Sequence, residues 1–251
     1  MKTSANNRKY GWKKDLPDNR DFVYKPKNFL SNIVVPCKVD LRKQCSAIDD
    51  QGQLGSCTAN ALAGHLEFLE IKEKTTYQDA SRLFIYYNER VIEEDVNEDA
   101  GAALRDGIKS LSNEGWCDEK LWPYDISKFT VKPPVDAYLK ATEKKISSYH
   151  RLDTLQDMLA CLAEGYPFVF GITVFESFES SDVANNGVVP MPDPAEKSLG
   201  GHAVMAVGYN KKTKRFTVRN SWGKDWGQSG YFTIPFEYVT KLGDDYWTIR
   251  K

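Results

Sequence analysis

The sequence has no apolar run that approaches the roughly 20 residues needed to cross a membrane. Its first residues, MKTSANNRKYGW, are polar and contain no apolar stretch typical of a secretory signal. These two absences predict that the protein has no membrane partner. They leave open a cytoplasmic protein or one that is exported by a route without a signal.

The chain also lacks an excess of charge of either sign. Its 34 Lys and Arg residues nearly balance 35 Asp and Glu residues, so the net charge is -1, and both signs are mixed along the sequence. Domains that bind nucleic acid usually carry a basic excess. We therefore expect no nucleic-acid partner, and we interpret the basic run at 211–215 as a hairpin turn.

No two cysteines have the C-x-x-C spacing of zinc ribbons or thioredoxin-type motifs, so we expect no metal site and no cofactor. The number of cysteines is odd, which leaves at least one free thiol, while the other four could form two disulfides or none. Because 251 residues can build a core without cross-links, we favour reduced thiols. The five are Cys37, Cys45, Cys57, Cys117 and Cys161.

Apolar periodicity predicts helices in the first part of the chain and strands in the last. The predicted helices span 57–72, 81–93, 102–113 and 155–164. The predicted strands span 168–174, 203–209, 216–219, 231–234 and 246–249. Residues 122–134, which contain three prolines, are interpreted as a loop. This order indicates an α+β fold with two lobes, and a cleft between lobes is the usual place for a site.

The first 36 residues differ in character from the rest. They are polar and interrupted by Pro17, Pro26 and Pro36, which predicts an extended segment rather than a helix.

Cys57 lies where the glycine-containing loop Q-G-Q-L-G-S-C, at 51–57, meets a predicted helix. A cysteine at a helix N-terminus is close to unpaired N–H groups and to the positive end of the helix dipole, which stabilise a thiolate. This context makes Cys57 a candidate nucleophile. If Cys57 is considered without the rest of the sequence, a buried structural cysteine is the more ordinary interpretation.

Two segments far downstream could serve such a nucleophile. G-G-H-A-V at 200–204 places His202 145 positions after Cys57, and N-S-W-G at 220–223 supplies Asn220. An imidazole can act as base and acid, and a third group can orient it. The other two histidines, His65 and His150, are expected to be packed or surface residues.

The loop at 51–57, the histidine and asparagine segments and V-D-L-R at 39–42 together resemble the papain-like cysteine peptidases. The resemblance extends over about 39–234. It implies a papain-like two-lobe fold with a helical left lobe over about 37–150, a β-barrel-like right lobe over about 151–251 and a cleft between them. Residues 1–36 then form an N-terminal extension, either a short pro-segment or an arm that wraps the lobes.

The resemblance also implies an activity, hydrolysis of peptide or protein substrates by a cysteine endopeptidase through a thioester on Cys57. His202 would act as base and acid, and Asn220 would orient it. The Gln51 side-chain amide and the Cys57 backbone N–H would bind the oxyanion. Trp222 would shield the His–Asn bond from water, and we expect a monomer. The residues expected to bind substrate are Gly101, Ala102, Gly201, Ala203 and Trp222.

The sequence departs from the family pattern at several places. Leu54 stands where many members have a disulfide cysteine, Thr58 replaces an aromatic residue after the nucleophile, and Ala102 replaces the second glycine of the groove wall. Residues 1–36 are too short for the usual helical inhibitory pro-segment. The acidic stretch at 93–99 lacks the spacing of a calcium loop, so we interpret it as a solvated loop.

Two alternative functions are compatible with the same residues, and the role of residues 1–36 is also open. The thioester could be transferred to an amine, as in a transpeptidase or amidase, and product analysis with an added amine would separate this from hydrolysis. A non-catalytic peptide-binding pseudopeptidase is the second, although the complete Cys–His–Asn set argues against it. Residues 1–36 could restrain activity by lying in the groove, or they could simply wrap the two lobes. The sequence is equally compatible with both roles.

Overall fold

The computed structural model describes residues 8–26 and 35–251. The helices are α1 (Cys57–Glu73), α2 (Arg82–Ile92), α3 (Leu104–Asn113), α4 (Val135–Ala141), α5 (Leu155–Ala163), α6 (Ser181–Asn186) and α7 (Phe236–Leu242). The strands are β1 (Trp12–Lys13), β2 (Lys38–Asp40), β3 (Ala102–Ala103), β4 (Ser148–Arg151), β5 (Phe168–Phe175), β6 (Ser198–Asn210), β7 (Arg215–Arg219), β8 (Tyr231–Pro235) and β9 (Gly243–Arg250). Within these ranges, none of the helices combines the length and the apolar character that crossing a bilayer requires.

The predicted long elements are present, and α1, α2 and α5 agree with the predicted bounds to within one residue. The helix predicted over 102–113 begins two residues late, because Ala102 and Ala103 form a short strand instead. The sequence analysis missed β4, α4, α6 and α7. Helices as short as α4, α6 and α7 give few periods of the apolar pattern, and Pro134, interpreted as part of a loop, is the N-cap of α4.

The second half of the chain forms one antiparallel sheet in the order β4-β9-β5-β6-β7-β8, with β2 pairing on β6. Within the described residues the sheet stays open, because its outer strands β4 and β8 do not pair with each other. The α+β fold is therefore confirmed, whereas a closed barrel is not formed. The division of the chain into lobes at residue 150 stays a prediction.

Helix α1 runs through the centre of the molecule. Every residue from Cys57 to Glu70 is buried, because α2 and α3 cover one side of the helix while β5 and β6 cover another. A helix that is buried on all faces has to satisfy its polar side chains inside the protein, and Glu67 does so by accepting the Ala80 N–H at 3.1 Å. Its N-terminus, with Cys57, meets the glycine-rich start of β6.

The described part of the N-terminal segment, residues 8–26, has no helix and is called the arm below. The prediction of an extended conformation is confirmed for these residues, and residues 27–34 lie outside the described part. The far end of the arm is anchored to β4. The Tyr24 N–H donates to the Arg151 carbonyl at 2.8 Å, the Arg151 N–H donates to the Phe22 carbonyl at 2.8 Å, and the Tyr24 hydroxyl contacts Glu164 at 2.7 Å.

Candidate active site

Cys57 is the first residue of α1 and is completely buried. Its sulfur is within hydrogen-bonding reach of the backbone of Ala203 in β6 and of Gly11 in the arm. Since Ala203 follows His202 directly, the candidate nucleophile and the candidate base lie at the same junction of α1 and β6.

His202 and Asn220 are joined by a short hydrogen bond. The His202 Nε2 atom lies 2.8 Å from the Asn220 Oδ1 atom, which also accepts the Ser221 backbone N–H at 2.9 Å. Among the described residues, His202 Nδ1 has no hydrogen-bond partner. The ring is therefore fixed from one side, and its second nitrogen is left free to exchange a proton.

Trp222 covers this pair. Its indole stacks on the His202 ring with the centroids 4.7 Å apart and the planes at 22°. Phe178 and Trp226 support the indole from behind through edge contacts at 5.6 and 5.0 Å. The ring cluster excludes water from the His202–Asn220 bond, which strengthens that bond electrostatically.

Gln51 is fixed by four hydrogen bonds to protein groups. Its backbone N–H donates to the Ser221 carbonyl at 2.9 Å, and its side-chain Oε1 accepts the Ser221 hydroxyl at 2.7 Å. Its Nε2 atom donates to the Leu54 carbonyl at 3.0 Å and reaches the Lys9 carbonyl of the arm at 3.4 Å. The side-chain amide group thus contacts both its own loop and the arm.

The arm passes directly over Cys57. The Gly11 carbonyl accepts the Ala102 N–H at 2.7 Å, and β1 pairs in parallel with β3. A side chain at Gly11 has no room, because its Cβ would lie 1.7 Å from the backbone oxygen of Gly55. The fit requires glycine at the point where the arm crosses the nucleophile.

Ion pairs hold the arm both before and after Gly11. Lys9 pairs with Asp99 at 2.7 Å, and Lys13 pairs with Glu93 at 2.6 Å and with Asp95 at 2.7 Å. Residues 93–99 form a loop, as interpreted, in which Glu94, Asn97 and Glu98 are exposed, whereas the carboxylates of Glu93, Asp95 and Asp99 are largely covered and pair with the arm.

Upstream of Gly11, the Arg8 guanidinium lies 3.9 Å above the Trp222 ring. The Tyr10 ring meets His202 edge-on at 6.2 Å, and its hydroxyl bonds to Glu179. The arm therefore closes over the imidazole as well as over the thiol.

Burial changes the pKa of both members of the pair. It raises the pKa of Cys57 to about 11 and lowers the pKa of His202 to about 4. In this covered state, loss of solvent therefore opposes the thiolate that the helix N-terminus and the backbone hydrogen bonds favour.

All five residues predicted to bind substrate contact the arm or the nucleophile. Gly101 and Ala102 lie against Gly11, Gly201 lies against Trp12, and Trp222 lies against Arg8. Ala203 contacts Cys57. The arm thus occupies the groove that the sequence analysis assigned to substrate.

The sequence analysis missed a buried pair of carboxylates, Asp15 in the arm and Asp245 in β9. The Asp15 N–H donates to Asp245 Oδ2 at 2.8 Å, while Asp15 itself accepts from the Trp247 indole at 2.8 Å and from the Arg105 N–H at 3.1 Å. Burial, followed by the charge of Asp15, raises the pKa of Asp245 to about 7, and burial also raises the pKa of Asp15. No local pattern marks these residues, since 230 positions separate them.

The remaining candidates lie outside this cluster. His65 is buried within α1 and His150 is half-buried in β4, as packed residues. All five cysteines are free thiols. In the described ranges, no group of three or more His, Cys, Asp or Glu side chains is arranged to hold a metal ion.

The profile of the papain family of cysteine proteases matches residues 35–246, so the chain belongs to this family. The protein is a cysteine protease, an enzyme that acts on peptide or protein substrates.

Several known proteins resemble the chain over most of its length. It is 44% identical to a peptidase C1-like protein of Acanthamoeba polyphaga mimivirus, covering 100% of this chain and 89% of the viral protein. It is 26% identical to cysteine proteinase 3 of Entamoeba histolytica, covering 79% of this chain and 62% of that protein. The structure of xylellain, a cysteine protease from Xylella fastidiosa, matches with a TM-score of 0.89 at 41% identity, over 100% of this chain and 99% of xylellain.

Proposed function

We propose that the protein is a cysteine endopeptidase with Cys57 as nucleophile, His202 as acid and base, and Asn220 as the group that orients His202. The observation that carries the proposal is the 2.8 Å bond between His202 Nε2 and Asn220 Oδ1, beside a thiol at a helix N-terminus. This bond leaves Nδ1 as the nitrogen that exchanges protons. The Gln51 amide and the Cys57 N–H supply two donors for an oxyanion.

The reaction starts when the groove is open to substrate. A proton passes from the Cys57 thiol to His202 Nδ1, and the thiolate attacks the scissile carbonyl carbon. The oxyanion accepts hydrogen bonds from Gln51 Nε2 and the Cys57 N–H. As the C–N bond breaks, His202 gives its proton to the leaving amine. His202 then takes a proton from water, which attacks the thioester and releases the acid, and Cys57 recovers its proton.

An epoxysuccinyl peptide that alkylates thiolates in peptide grooves tests this assignment. In a full-length Gly11→Ala chain, whose arm can no longer lie against Gly55, we expect rapid modification of Cys57 alone. The native chain should react more slowly. Peptide mass spectrometry locates the adduct. Modification of exposed Cys37 with Cys57 untouched would contradict the proposal.

We also propose that the arm restrains activity rather than merely wrapping the lobes. Three contacts support this role. The Gly11 backbone lies on Cys57, the Gln51 amide reaches the Lys9 carbonyl, and Ala102 bonds to the arm instead of to a substrate. A peptide could reach the thiol only after residues 8–12 have moved or been cut.

The closed arm is expected to be more stable at pH 5 than at pH 7.5. Closing the arm raises the pKa of both Asp15 and Asp245, so at these two carboxylates the closed state binds more protons than the open state. The lowered pKa of His202 acts in the opposite sense, and the comparison with Asp15→Asn isolates the part that the carboxylates contribute. The stability that proton uptake by the carboxylates adds to the closed state is fully present below the ordinary aspartate pKa of about 4. It is lost as the pH rises through about 7. The effect can reach about tenfold per pH unit for each proton taken up.

The measurement is the alkylation rate of Cys57 in the native chain divided by the rate in Gly11→Ala at the same pH. The division removes the ordinary pH dependence of the thiol. We expect the ratio to rise between pH 5 and pH 7.5 and to be flatter in Asp15→Asn. A ratio that falls over this range would refute the role of the carboxylate pair.

A further inference from the structure

The loop at 51–57 carries both groups that are proposed to bind the oxyanion. The Gln51 side-chain amide belongs to its first residue and the Cys57 N–H to its last. Within the loop, the Leu54 N–H donates to the Gln51 carbonyl at 3.4 Å, and Gln51 Nε2 donates to the Leu54 carbonyl at 3.0 Å. Both of these bonds end at Leu54, so they do not fix Gln51 relative to Cys57. The separation of the two donors therefore depends on contacts from outside the loop.

The Tyr124 hydroxyl bridges the two ends of this loop. It donates to the Gln51 carbonyl at 3.0 Å and lies 2.5 Å from the Ser56 hydroxyl. Ser56 directly precedes Cys57, and its Oγ atom accepts from Asn60 Nδ2 at 3.1 Å. Because a hydroxyl supplies a single proton, the Ser56 O–H donates to Tyr124 while Tyr124 donates to Gln51. The donors thus follow one direction, from α1 through Ser56 and Tyr124 to Gln51.

Tyr124 is itself held by the body of the protein. The Arg82 guanidinium lies 4.0 Å from the centroid of its ring and pairs with Glu119 through two bonds of 2.6 and 2.9 Å. Burial raises the pKa of Tyr124 to about 12, so its hydroxyl keeps the proton at neutral pH. Across residues 8–26 and 35–251, the hydrogen bonds and the cation contact of Tyr124 do not involve the arm. The bridge therefore stays in place when the arm leaves the groove.

We propose that Tyr124 is a positioning residue of the oxyanion site, and that its hydroxyl sets the distance between Gln51 Nε2 and the Cys57 N–H. The inference rests on the proposed peptidase function. Donors act on an oxyanion only when they lie about 2.7–3.1 Å from it, and the loss of one donor costs about 10²–10³ in kcat. Formation and hydrolysis of the thioester both pass through an oxyanion, so a change in this distance slows both steps. A tyrosine that only packed against Arg82 would not need its hydroxyl.

Tyr124→Phe in the full-length Gly11→Ala chain tests the proposal. Phenylalanine keeps the ring beside Arg82 and removes only the hydroxyl that joins Gln51 to Ser56. We expect kcat for a fluorogenic peptide to fall about tenfold while KM changes by less than about threefold, because misplaced donors weaken binding of the transition state and not of the substrate. A kcat equal to that of the parent would overturn the proposal.

Alkylation of Cys57 by iodoacetamide separates this effect from damage to the thiol. The sulfur forms a bond to the methylene carbon, iodide leaves and the thiol proton goes to solvent, so no oxyanion develops. The alkylation rate should therefore be the same in Gly11→Ala with and without Tyr124→Phe. A loss of alkylation as large as the loss of kcat would place the effect at the thiol, and the proposal would be overturned.

The effect should also depend on Gln51. In Gln51→Ala one of the two donors is already absent, so the further change Tyr124→Phe should lower kcat by only about threefold or less. A loss as large as in the parent would show that Tyr124 acts elsewhere. Ser56→Ala removes the other end of the bridge and serves if Tyr124→Phe does not fold. It should lower kcat and leave alkylation unchanged, and a folded Ser56→Ala chain with the kcat of its parent would contradict the bridge.

Tyr138→Phe is the matched control. Tyr138 is also half-buried, and its hydroxyl donates to Asn88 Oδ1 at 2.9 Å rather than to the loop at 51–57. This substitution likewise removes one phenolic hydroxyl, and it should keep the kcat of its parent. If it lowers kcat as much as Tyr124→Phe does, the effect is a general one and Tyr124 has no special role.

A peptide nitrile gives a readout that needs no hydrolysis. Cys57 adds across the C≡N bond, so that the sulfur bonds to carbon and the thiol proton passes to the nitrogen, which takes the place of the oxyanion. In Gly11→Ala, the affinity of the nitrile, measured as protection of Cys57 from iodoacetamide, should fall several-fold with Tyr124→Phe. If no peptide is cut but this affinity falls, the peptidase proposal fails and the role of Tyr124 stands. If peptides are cut and neither kcat nor the affinity changes, the assignment of Tyr124 alone is wrong.

Discussion

Replacing Cys57 with alanine is expected to abolish peptide hydrolysis, with a fall in kcat of up to about 10⁶-fold. The reason is that no other group at the junction of α1 and β6 can form the thioester. Stability should change little, because alanine keeps the Cβ and removes only the sulfur. The experiment compares hydrolysis of a fluorogenic peptide library by Gly11→Ala with and without the second substitution, together with the melting temperature.

Cys161→Ala is the matched control for that experiment. Cys161 is also a fully buried free thiol, and burial raises its pKa to about 11 as it does for Cys57. Its thiol lies within reach of the Tyr166 carbonyl at 3.5 Å and has no role in the proposed reaction. Turnover should survive this change. Hydrolysis that persists in Cys57→Ala would remove Cys57 from the mechanism.

Gly11→Ala in the full-length chain is expected to raise the rate of peptide hydrolysis by about tenfold or more. The added Cβ would lie 1.7 Å from the Gly55 oxygen, so the arm has to move away from Gly55 at the residue that precedes β1. A penalty of about 1.4 kcal/mol already changes the population of the closed state tenfold. The measurement is kcat/KM for one fluorogenic peptide in the native and substituted chains.

A point substitution is a sharper test than deletion of residues 1–36. Tyr24 and Asp15 are buried against the body of the protein, so a deletion would remove part of the core as well as the cover of the groove. Leu16→Ala is the control, because the Leu16 side chain is 81% exposed. It should leave the rate unchanged. If Gly11→Ala keeps its melting temperature and gains no activity, the arm does not restrain the enzyme.

The sequence was sufficient for the parts of the molecule that depend on local pattern. Helix α1 and the long strands follow from apolar spacing, and the motif resemblance alone predicts that Cys57, His202 and Asn220 form one cluster. The geometry brings these three together, while their catalytic roles stay a prediction. The resemblance also predicts Gln51 as a site residue, because Gln51 belongs to the loop that carries Cys57.

The features that the sequence did not reveal depend on contacts between distant parts of the chain. The Trp12 indole donates to Asp245 although the two residues are 233 positions apart, and nothing in the composition around either residue indicates the other. The raised pKa of Cys57 could not be inferred for the same reason. The helix dipole can be inferred from sequence, whereas the loss of solvent requires knowing that Gly11 lies on the sulfur. The ion pairs of Glu93, Asp95 and Asp99 in the loop at 93–99 were missed because their lysine partners come from the arm.

The anchorage of the arm at Tyr24 makes the blocking segment a permanent part of the molecule. After residues 8–13 swing out of the groove, the bonds between Phe22, Tyr24 and Arg151 keep them within a short chain length of Cys57. The local concentration of such a tethered segment is in the millimolar range, and it does not fall when the protein is diluted. If the arm restrains activity as proposed, we expect that dilution will not activate the enzyme and that a free peptide of the arm sequence will compete poorly. We then expect lasting activation to require a cut between Gly11 and the anchor, after which the released piece diffuses away and the change cannot be reversed.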